Sequence, residues 1–276
     1  MNHIDELKKK AAKLRLNVIK AVGVDYPGHI GGAFSAADIV AALYFHKMSH
    51  SSKDRYKAER DRFLLSKGHV AILQYAALAE AGYFPEEELT GTKQIFSRLQ
   101  GHPDLVKTGE IGIEAGTGSL GQGLSIGVGM ALGLRLDKIN AKVYVLLGDG
   151  ELAEGQNWEA AMSAARFGLD NLVAIVDRNE KQAQGSIADR FDQGLLKEKW
   201  EAFGFKVIET AGNDMEKVVN ALDEADNSGG RPVAILAHTV KGYGLDFAEA
   251  HPSGYHNFPL TREQYESAIK KFEVLS

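Results

Sequence analysis

Apolar residues near the start of the chain repeat at helical spacing. Between positions 4 and 18 they recur at intervals of three and four residues, namely Ile4, Leu7, Ala11, Leu14 and Val18. This spacing places them on one face of a first helix. The sequence Ser35-Ala-Ala-Asp38 then matches a capping box and predicts that a second helix begins there and runs through His46.

Short apolar runs alternate with helical segments through the rest of the chain. The runs predict strands at 63–65, 142–147, 172–176, 205–208 and 233–237, and helical spacing between them predicts helices at 157–167 and 215–225. Strands that are apolar throughout are typical of a parallel sheet covered on both faces. We therefore expect an α/β fold, a doubly wound parallel sheet with helices on both faces. Ligands of such sheets bind at the carboxyl ends of the strands.

Composition narrows the class of protein. The chain has 276 residues with 32 basic and 37 acidic side chains, a net charge of −5, so nucleic acid is not expected as a main partner. Cysteine is absent, which excludes a disulfide framework, a thiolate metal site and a cysteine nucleophile.

Since no apolar run has the length of a signal peptide or a membrane span, we expect a cytoplasmic protein without a membrane partner. No repeat or linker divides the chain, and we expect one domain over residues 1–276. The 30 glycines suggest backbone lying close to a ligand.

Two polar residues follow neighbouring predicted strands. Asp149 comes directly after the strand at 142–147, and Asn179 comes thirty residues later, after the strand at 172–176. A right-handed crossover usually brings such strands side by side, so both side chains belong at one edge of the sheet. Their oxygens suit Mg²⁺, and the amide N–H groups of Gly148 and Gly150 could face an anion. The alternative is that Asp149 caps the next helix and Asn179 forms a turn.

A glycine-rich segment precedes another predicted helix. Residues 116–123 read Gly-Thr-Gly-Ser-Leu-Gly-Gln-Gly and lead into a helix at 124–134. Backbone amides at such a position bind phosphate. The alternative is close helix packing on small residues, which fits Gly127 and Gly129. The segment is neither a Walker loop nor a dinucleotide fingerprint, because neither motif's context is present.

Five motifs in order carry a family resemblance. They are YPGHIGG at 26–32, LSKGH at 65–69, GHP at 101–103, TGSLGQG at 117–123 and GDGELAEG at 148–155. Together with Asn179 they resemble the diphosphate-binding domain of a transketolase, over essentially the whole chain. The resemblance implies the thiamine diphosphate-binding fold.

The resemblance implies a cofactor and its ligands. Thiamine diphosphate is expected with Mg²⁺, for which Ca²⁺ or Mn²⁺ could substitute. The implied metal ligands are Asp149, Asn179 and the backbone carbonyl of Lys181, where the family usually has a hydrophobic residue. The implied diphosphate contacts are Gly118, Ser119, Leu120 and Gly150, together with Asn179. The segment at 182–185 also departs from the family pattern, with Gln184 in place of an aspartate.

Four of the nine histidines match family active-site positions. His69 and His256 are expected to donate to the diphosphate. His29 and His256 are expected to face substrate hydroxyls and transfer protons, for which a pKa near neutrality is useful. His102 is expected near the bound two-carbon fragment. Glu154 matches a position that links two cofactor sites, although a glutamate there also suits a helix N-terminus. For His3, His46 and His50 we expect surface or structural roles, whereas His238 and His251 stay open, with a structural role favoured.

The resemblance also implies a partner. A full-length transketolase has three domains, and this chain matches only the first, without the pyrimidine-binding domain and its glutamate. The chain does not look truncated, because Thr261 is a plausible cap for a last helix. We therefore expect the N-terminal subunit of a split transketolase, in a heterotetramer of two such chains and two C-terminal partner subunits. It would transfer a two-carbon ketol unit between sugar phosphates.

Three alternatives remain open at the level of sequence. The chain could belong to a deoxyxylulose-phosphate synthase-like enzyme, to a 2-oxo acid dehydrogenase-like enzyme, or to a catalytically silent regulatory subunit. The residues present argue against a catalytically silent regulatory subunit. The histidines of Lys-Gly-His and Gly-His-Pro, which the 2-oxo acid dehydrogenases lack, argue against an enzyme of that kind. Pentose phosphates, sulfonated sugars and branched sugars all remain possible substrates.

Overall fold

Five parallel strands form the central sheet, which a computed structural model describes together with the rest of residues 2–276. The strands are β1 (Arg62–Leu65), β2 (Val143–Gly148), β3 (Leu172–Arg178), β4 (Lys206–Ala211) and β5 (Val233–His238). Their order across the sheet is β1-β2-β3-β5-β4. All five predicted strands are therefore present, and each is paired in parallel.

Eight helices of seven or more residues surround the sheet in the part of the chain described. They are α1 (His3–Val22), α2 (Ile30–Ala42), α3 (Ala71–Glu80), α4 (Gln122–Leu136), α5 (Gly155–Arg166), α6 (Leu196–Ala202), α7 (Met215–Glu224) and α8 (Arg262–Leu275). Short helices lie at Leu105–Thr108, Ile187–Arg190 and Asp246–Glu249, and two-residue strand pairs join Pro27–Gly28 to Phe258–Pro259 and Lys181–Gln182 to Gly185–Ser186. None of the helices described is long and apolar enough to cross a membrane.

Alternate residues of each strand enter different cores. In β2, Tyr144 and Leu146 pack with α1, α2, α3, α7 and α8 on one face of the sheet. Val143, Val145 and Leu147 pack with α4, α5 and α6 on the other. Because successive side chains of a strand point to opposite faces, a sheet buried on both sides must be apolar at every position. The doubly wound architecture with helices on both faces is confirmed.

The connection from β2 through α5 to β3 determines where the polar residues lie. The two strands are adjacent, with Gly148 opposite Asp177. The residues that follow them, Asp149 and Asn179, consequently meet at the carboxyl edge of the sheet, as the sequence predicts.

The predicted start of the second helix is wrong. Helix α2 begins at Ile30, five residues before Ser35, and it continues as a π-helix over Leu43–Lys47. Ser35 lies inside the helix, where its hydroxyl donates to the Gly32 carbonyl (3.0 Å) and to Asp177 (2.6 Å). The helix is buried along its whole length, so no polar face marks its start. The predicted cap at Thr261 is confirmed, with a complete capping box to Gln264.

Candidate active site

A cleft of about 260 Å³ opens at the carboxyl edge of the sheet. It is lined from below by the ends of β2 and β3 and from the side by the glycine-rich segment before α4. Among the residues that line it are Asp149, Asn179, Lys181, His69 and His256. The fold thus gathers residues as far apart in sequence as Gly32 and His256.

Asp149 occupies the buried end of this cleft. Its carboxylate accepts hydrogen bonds from the amide N–H groups of Gly150 (2.7 Å) and Glu180 (2.5 Å). Gln193 donates to its backbone carbonyl. Burial, together with the nearby charge of Asp177, raises the pKa of Asp149 to about 6. A carboxylate in this environment gains most from a neighbouring cation.

A buried ion pair beneath the cleft orients Asn179. Asp177 is 0% exposed and accepts hydrogen bonds from Lys67, which is 1% exposed, from Ser35 and from Thr239. It also accepts the side-chain amide N–H of Asn179 at 3.1 Å. The Asn179 nitrogen is engaged there, and its oxygen accepts the Lys181 N–H (3.2 Å), which leaves one lone pair of that oxygen for a ligand. Burial alone would raise the pKa of Asp177, but the charge and hydrogen bond of Lys67 hold it below the usual range.

The side chain of Lys181 points away from Asp149. Its ammonium donates to the backbone carbonyls of Glu249 (2.9 Å) and His251 (3.2 Å). The Lys181 carbonyl accepts a hydrogen bond from Lys241 (2.9 Å). The unusual lysine is therefore compatible with a backbone ligand at this position. Burial, followed by the charge of Lys67, lowers the pKa of Lys241 to about 8.

Three consecutive amides of the glycine-rich segment are available to a ligand. The N–H groups of Gly118, Ser119 and Leu120 donate to no protein group within residues 2–276. Gly118 has φ +126°, and a Cβ there would lie 2.5 Å from the ring of His102, so the segment needs glycine at this point. Successive unpaired N–H groups form an anion-binding concavity.

The amides expected around Asp149 are less available. The N–H of Gly148 donates to Glu151 (3.1 Å) and that of Gly150 donates to the Asp149 carboxylate (2.7 Å). The prediction that both face an anion is therefore wrong for this arrangement. The physical reason is that the Asp149 carboxylate caps the next residue's N–H and the Glu151 carboxylate reaches back to Gly148.

Three of the predicted histidines form a triangle at the other end of the cleft. Ring centroids of His29 and His69 are 5.1 Å apart, those of His29 and His256 are 5.2 Å apart, and those of His69 and His256 are 5.3 Å apart. Burial, followed by the charge of His256, lowers the pKa of His29 to about 3, and burial followed by Lys241 lowers that of His256 to about 4. Burial likewise lowers the pKa of His69. These shifts favour the neutral form of the rings, and the pKa values of His29 and His256 lie further from neutrality than the sequence suggests.

His102 and Glu154 lie on the rim. His102 packs against Gly118, and burial followed by the charge of Lys93 lowers its pKa. Glu154 is exposed at the N-terminus of α5, where it caps no backbone N–H with its side chain. It lies beside the glycine-rich segment, since a Cβ on Gly121 would be 2.6 Å from that of Glu154.

The remaining histidines have other partners. His50 contacts the Tyr83 hydroxyl and the Tyr44 carbonyl, and His46 contacts His3 and Asp223. His238 contacts Glu209, and His251 contacts Ser253. None of these five side chains lines the cleft, which agrees with the structural reading of His3, His46 and His50 and favours the same reading for His238 and His251.

Sequence reasoning missed four charged residues of this site: Lys67, Glu151, Asp177 and Lys241. Lys67 stands inside the motif Leu65-Ser-Lys-Gly-His69 and Glu151 inside Gly148-Asp-Gly-Glu151, but neither motif by itself indicated what these two side chains do. Asp177 stands at the end of an apolar strand, a position that indicates a buried charge. Because a buried charge needs a partner, this aspartate pointed to a buried ion pair. Nothing in the sequence near Lys241 points to the cleft.

Fold and cleft together define a class of protein: an α/β chain with a site for an anionic cofactor and a cation at the carboxyl ends of its strands. Residues 7–274 match the family model described as transketolase, thiamine diphosphate binding domain. The chain therefore belongs to the transketolase family and carries its thiamine diphosphate-binding domain.

Relatives of similar length are named as subunits. The chain is 43% identical to an apulose-4-phosphate transketolase subunit of Actinobacillus succinogenes, over 98% of this chain and 96% of the relative. It is 39% identical to a 6-deoxy-6-sulfo-D-fructose transketolase subunit of Clostridium sp., over 97% and 96%. The transketolase structure from Leishmania mexicana superposes with a TM-score of 0.88 at 32% identity, over 99% of this chain. This chain spans only 42% of the length of that transketolase.

Proposed function

We propose that this chain is the diphosphate-binding subunit of a two-chain transketolase, which transfers a two-carbon ketol unit from a ketose to an aldose. The observation that carries the proposal is the cleft itself, where a buried carboxylate, an oriented amide oxygen and three free backbone N–H groups converge. Family membership supplies the cofactor class, and the two relatives of equal length support a division of the enzyme into subunits.

The residues present fit thiamine diphosphate with a divalent cation. Asp149, the Asn179 side-chain oxygen and the Lys181 carbonyl are hard oxygen donors, the kind that Mg²⁺ prefers, with Ca²⁺ or Mn²⁺ as substitutes. Within residues 2–276 no three His, Cys, Asp or Glu side chains are grouped for a metal, so a cation here depends on the amide and carbonyl oxygens. The amides of residues 118–120, which donate to no group among residues 2–276, and the ammonium of Lys241 lie around the same cleft and fit a diphosphate.

The chain's own residues would bind, orient and exchange protons. Thiamine diphosphate, when bound, supplies the carbanion chemistry of ketol transfer. His69 and His256 would contact the diphosphate side, and His29 and His256 would accept protons from substrate hydroxyls in the neutral form that their lowered pKa values ensure. His102 would lie beside the two-carbon fragment, and Glu154 on the rim would face a second cofactor site.

The substrates we propose are sugars that carry an anionic group. The names of the two relatives specify apulose 4-phosphate and 6-deoxy-6-sulfo-D-fructose, and pentose phosphates are a further candidate. A C-terminal subunit with the pyrimidine-binding domain would complete the site, in a heterotetramer of two plus two. We propose the cytoplasm as the compartment and the whole of residues 1–276 as one domain.

Reconstitution with the partner subunit tests the proposal. The chain and its partner, expressed together, should show transketolase activity that depends on thiamine diphosphate and Mg²⁺ and is lost with EDTA. Each subunit purified alone should be inactive, and the complex should have the mass of two copies of each. Robust turnover by this chain alone would contradict the proposal, and a complex that binds no thiamine diphosphate would favour a regulatory subunit.

A further inference from the structure

Glu151 is a buried carboxylate in the cleft to which the proposed function gives no role. It follows Asp149 by two residues, lies in the 3-10 turn Gly150–Ala153, and is 2% exposed. Burial raises the pKa of Glu151, while its hydrogen bonds and the charge of Lys67 oppose that shift. A buried carboxylate is unfavourable unless hydrogen-bond donors surround it, so the groups that donate to Glu151 indicate which segments it holds in place.

Three separate segments donate to Glu151. Its Oε1 accepts the hydroxyl hydrogen of Ser66 and the amide N–H of Gly121 (2.8 Å), and its Oε2 accepts the amide N–H of Gly148 (3.1 Å). Ser66 follows β1, Gly148 ends β2, and Gly121 stands in the glycine-rich segment before α4. One side chain therefore connects two strand ends to the anion-binding loop.

The loop depends on this connection for its position. Gly121 has φ +86°, and its N–H is used by Glu151, whereas the N–H groups of residues 118–120 immediately before it donate to nothing in the described part of the chain. The loop is also in tight contact with the segment that follows β1, since a Cβ on Gly68 would lie 2.6 Å from the nitrogen of Gly118. A shift at Gly121 would consequently move the free amides relative to Asp149.

We propose that Glu151 is a positioning residue that fixes the three free amides relative to the Asp149 carboxylate, so that diphosphate and cation meet their ligands in one geometry. The inference rests on the proposed function. Glu151 acts through the loop, and its removal should weaken cofactor binding without changing the chemical step.

Two substitutions at this position separate positioning from folding. Glu151→Gln keeps the volume but replaces one acceptor oxygen with an N–H₂ group, which would face either the Gly148 N–H or the Ser66 hydroxyl and Gly121 N–H, so that one end of the connection is lost. The apparent Kd for thiamine diphosphate, measured by reactivation of the apo-complex with its partner at fixed Mg²⁺, should rise about tenfold, as expected for one lost hydrogen bond. Glu151→Ala should raise it about a hundredfold. At saturating cofactor, kcat and the sugar KM should stay at wild-type values in both variants.

Inorganic pyrophosphate serves as a second probe. It should compete with thiamine diphosphate for the wild-type complex, and its inhibition constant should rise in Glu151→Gln by the same factor as the Kd. Ser66→Ala, which removes one donor, should raise both constants less. Glu159→Gln, an exposed acid on α5, is the matched control and should leave both at wild-type values.

The outcomes distinguish the inference from the function on which it rests. A wild-type Kd in Glu151→Gln, or a reduced kcat with an unchanged Kd, would overturn the inference and leave the proposed function standing. A wild-type complex that binds no thiamine diphosphate would overturn both. If Glu151→Ala does not fold, Glu151→Gln and Ser66→Ala decide the question.

Discussion

Removal of the Lys67 ammonium should destabilise the protein by an amount that depends on pH. The variant Lys67→Met keeps the length of the side chain but leaves Asp177 buried with only neutral donors: Ser35 (2.6 Å), Thr239 and Asn179 (3.1 Å). Both members of the pair are almost fully buried, at 1% and 0% exposure. Loss of one partner from such a pair costs about 3–5 kcal/mol, a large share of the about 5–15 kcal/mol that stabilises a typical domain.

The pH dependence follows from the direction of the pKa shift. In the wild type the pKa of Asp177 is held below its usual value, so its ionised form adds stability above the unfolded pKa of about 3.9 and that stability is lost on acidification. In Lys67→Met burial dominates and should raise this pKa above the unfolded value. The variant then loses stability as the pH rises, and its deficit should be larger at pH 8 than at pH 5.

Urea unfolding followed by circular dichroism at the two pH values measures both effects. Lys107→Met removes an exposed lysine and should change the free energy of unfolding by less than about 0.5 kcal/mol. Adding Asp177→Asn to Lys67→Met should recover part of the loss at pH 8, because no buried charge then remains. A deficit below about 1 kcal/mol, or one equal at both pH values, would refute the reasoning.

Three further predictions concern the cleft. Asp149→Asn should abolish Mg²⁺-dependent binding of thiamine diphosphate, which cofactor titration with Mg²⁺ or EDTA measures. The same variant should raise the melting temperature of the apo-protein in thermal unfolding, because burial disfavours the Asp149 charge. His29→Asn should lower kcat about a hundredfold without changing the cofactor Kd, because the variant loses a proton acceptor but no cofactor contact. Steady-state kinetics that show a raised cofactor Kd with an unchanged kcat would contradict this. Gly68→Ala should cost about 1–3 kcal/mol of stability, since its Cβ would lie 2.6 Å from the Gly118 nitrogen. Gly129→Ala, with nothing within 4 Å in a helix interior, should add about 0.5–1 kcal/mol, and equal unfolding energies for the two glycine variants would contradict the steric argument.

The strands and the edge at which ligands bind were predictable from the sequence because both depend on simple patterns. Continuous apolar runs such as Leu172–Val176 have few alternatives to a buried parallel strand, and the residue that follows each strand must lie at the carboxyl edge. This is why the sequence alone places Asp149 and Asn179 together. The start of α2 could not be predicted in this way, because a helix buried all round has no apolar stripe whose first turn shows where it begins.

The histidine cluster was predictable only through the family resemblance. Nothing in the spacing of His29, His69 and His256 indicates that their rings come within about 5 Å of one another. Their neutrality was not predictable at all, because it depends on burial and on Lys241, whose position is fixed by a loop after β5. Contacts between side chains distant in sequence decide a pKa, and no local pattern records them.

The shifted pKa values in the cleft together argue that cation and diphosphate bind as a pair. Asp149 is buried without a cationic hydrogen-bond partner among residues 2–276 and its pKa is raised, while Lys241 is buried against the Lys181 carbonyl and the ring of His256 and its pKa is lowered. A divalent cation alone would favour the Asp149 charge but would face the ammonium of Lys241. A diphosphate alone would favour Lys241 and the free amides of residues 118–120 but would face the carboxylate of Asp149. If both bind as proposed, the two together place an opposite charge beside Asp149 and beside Lys241, so each should increase the affinity of the cleft for the other.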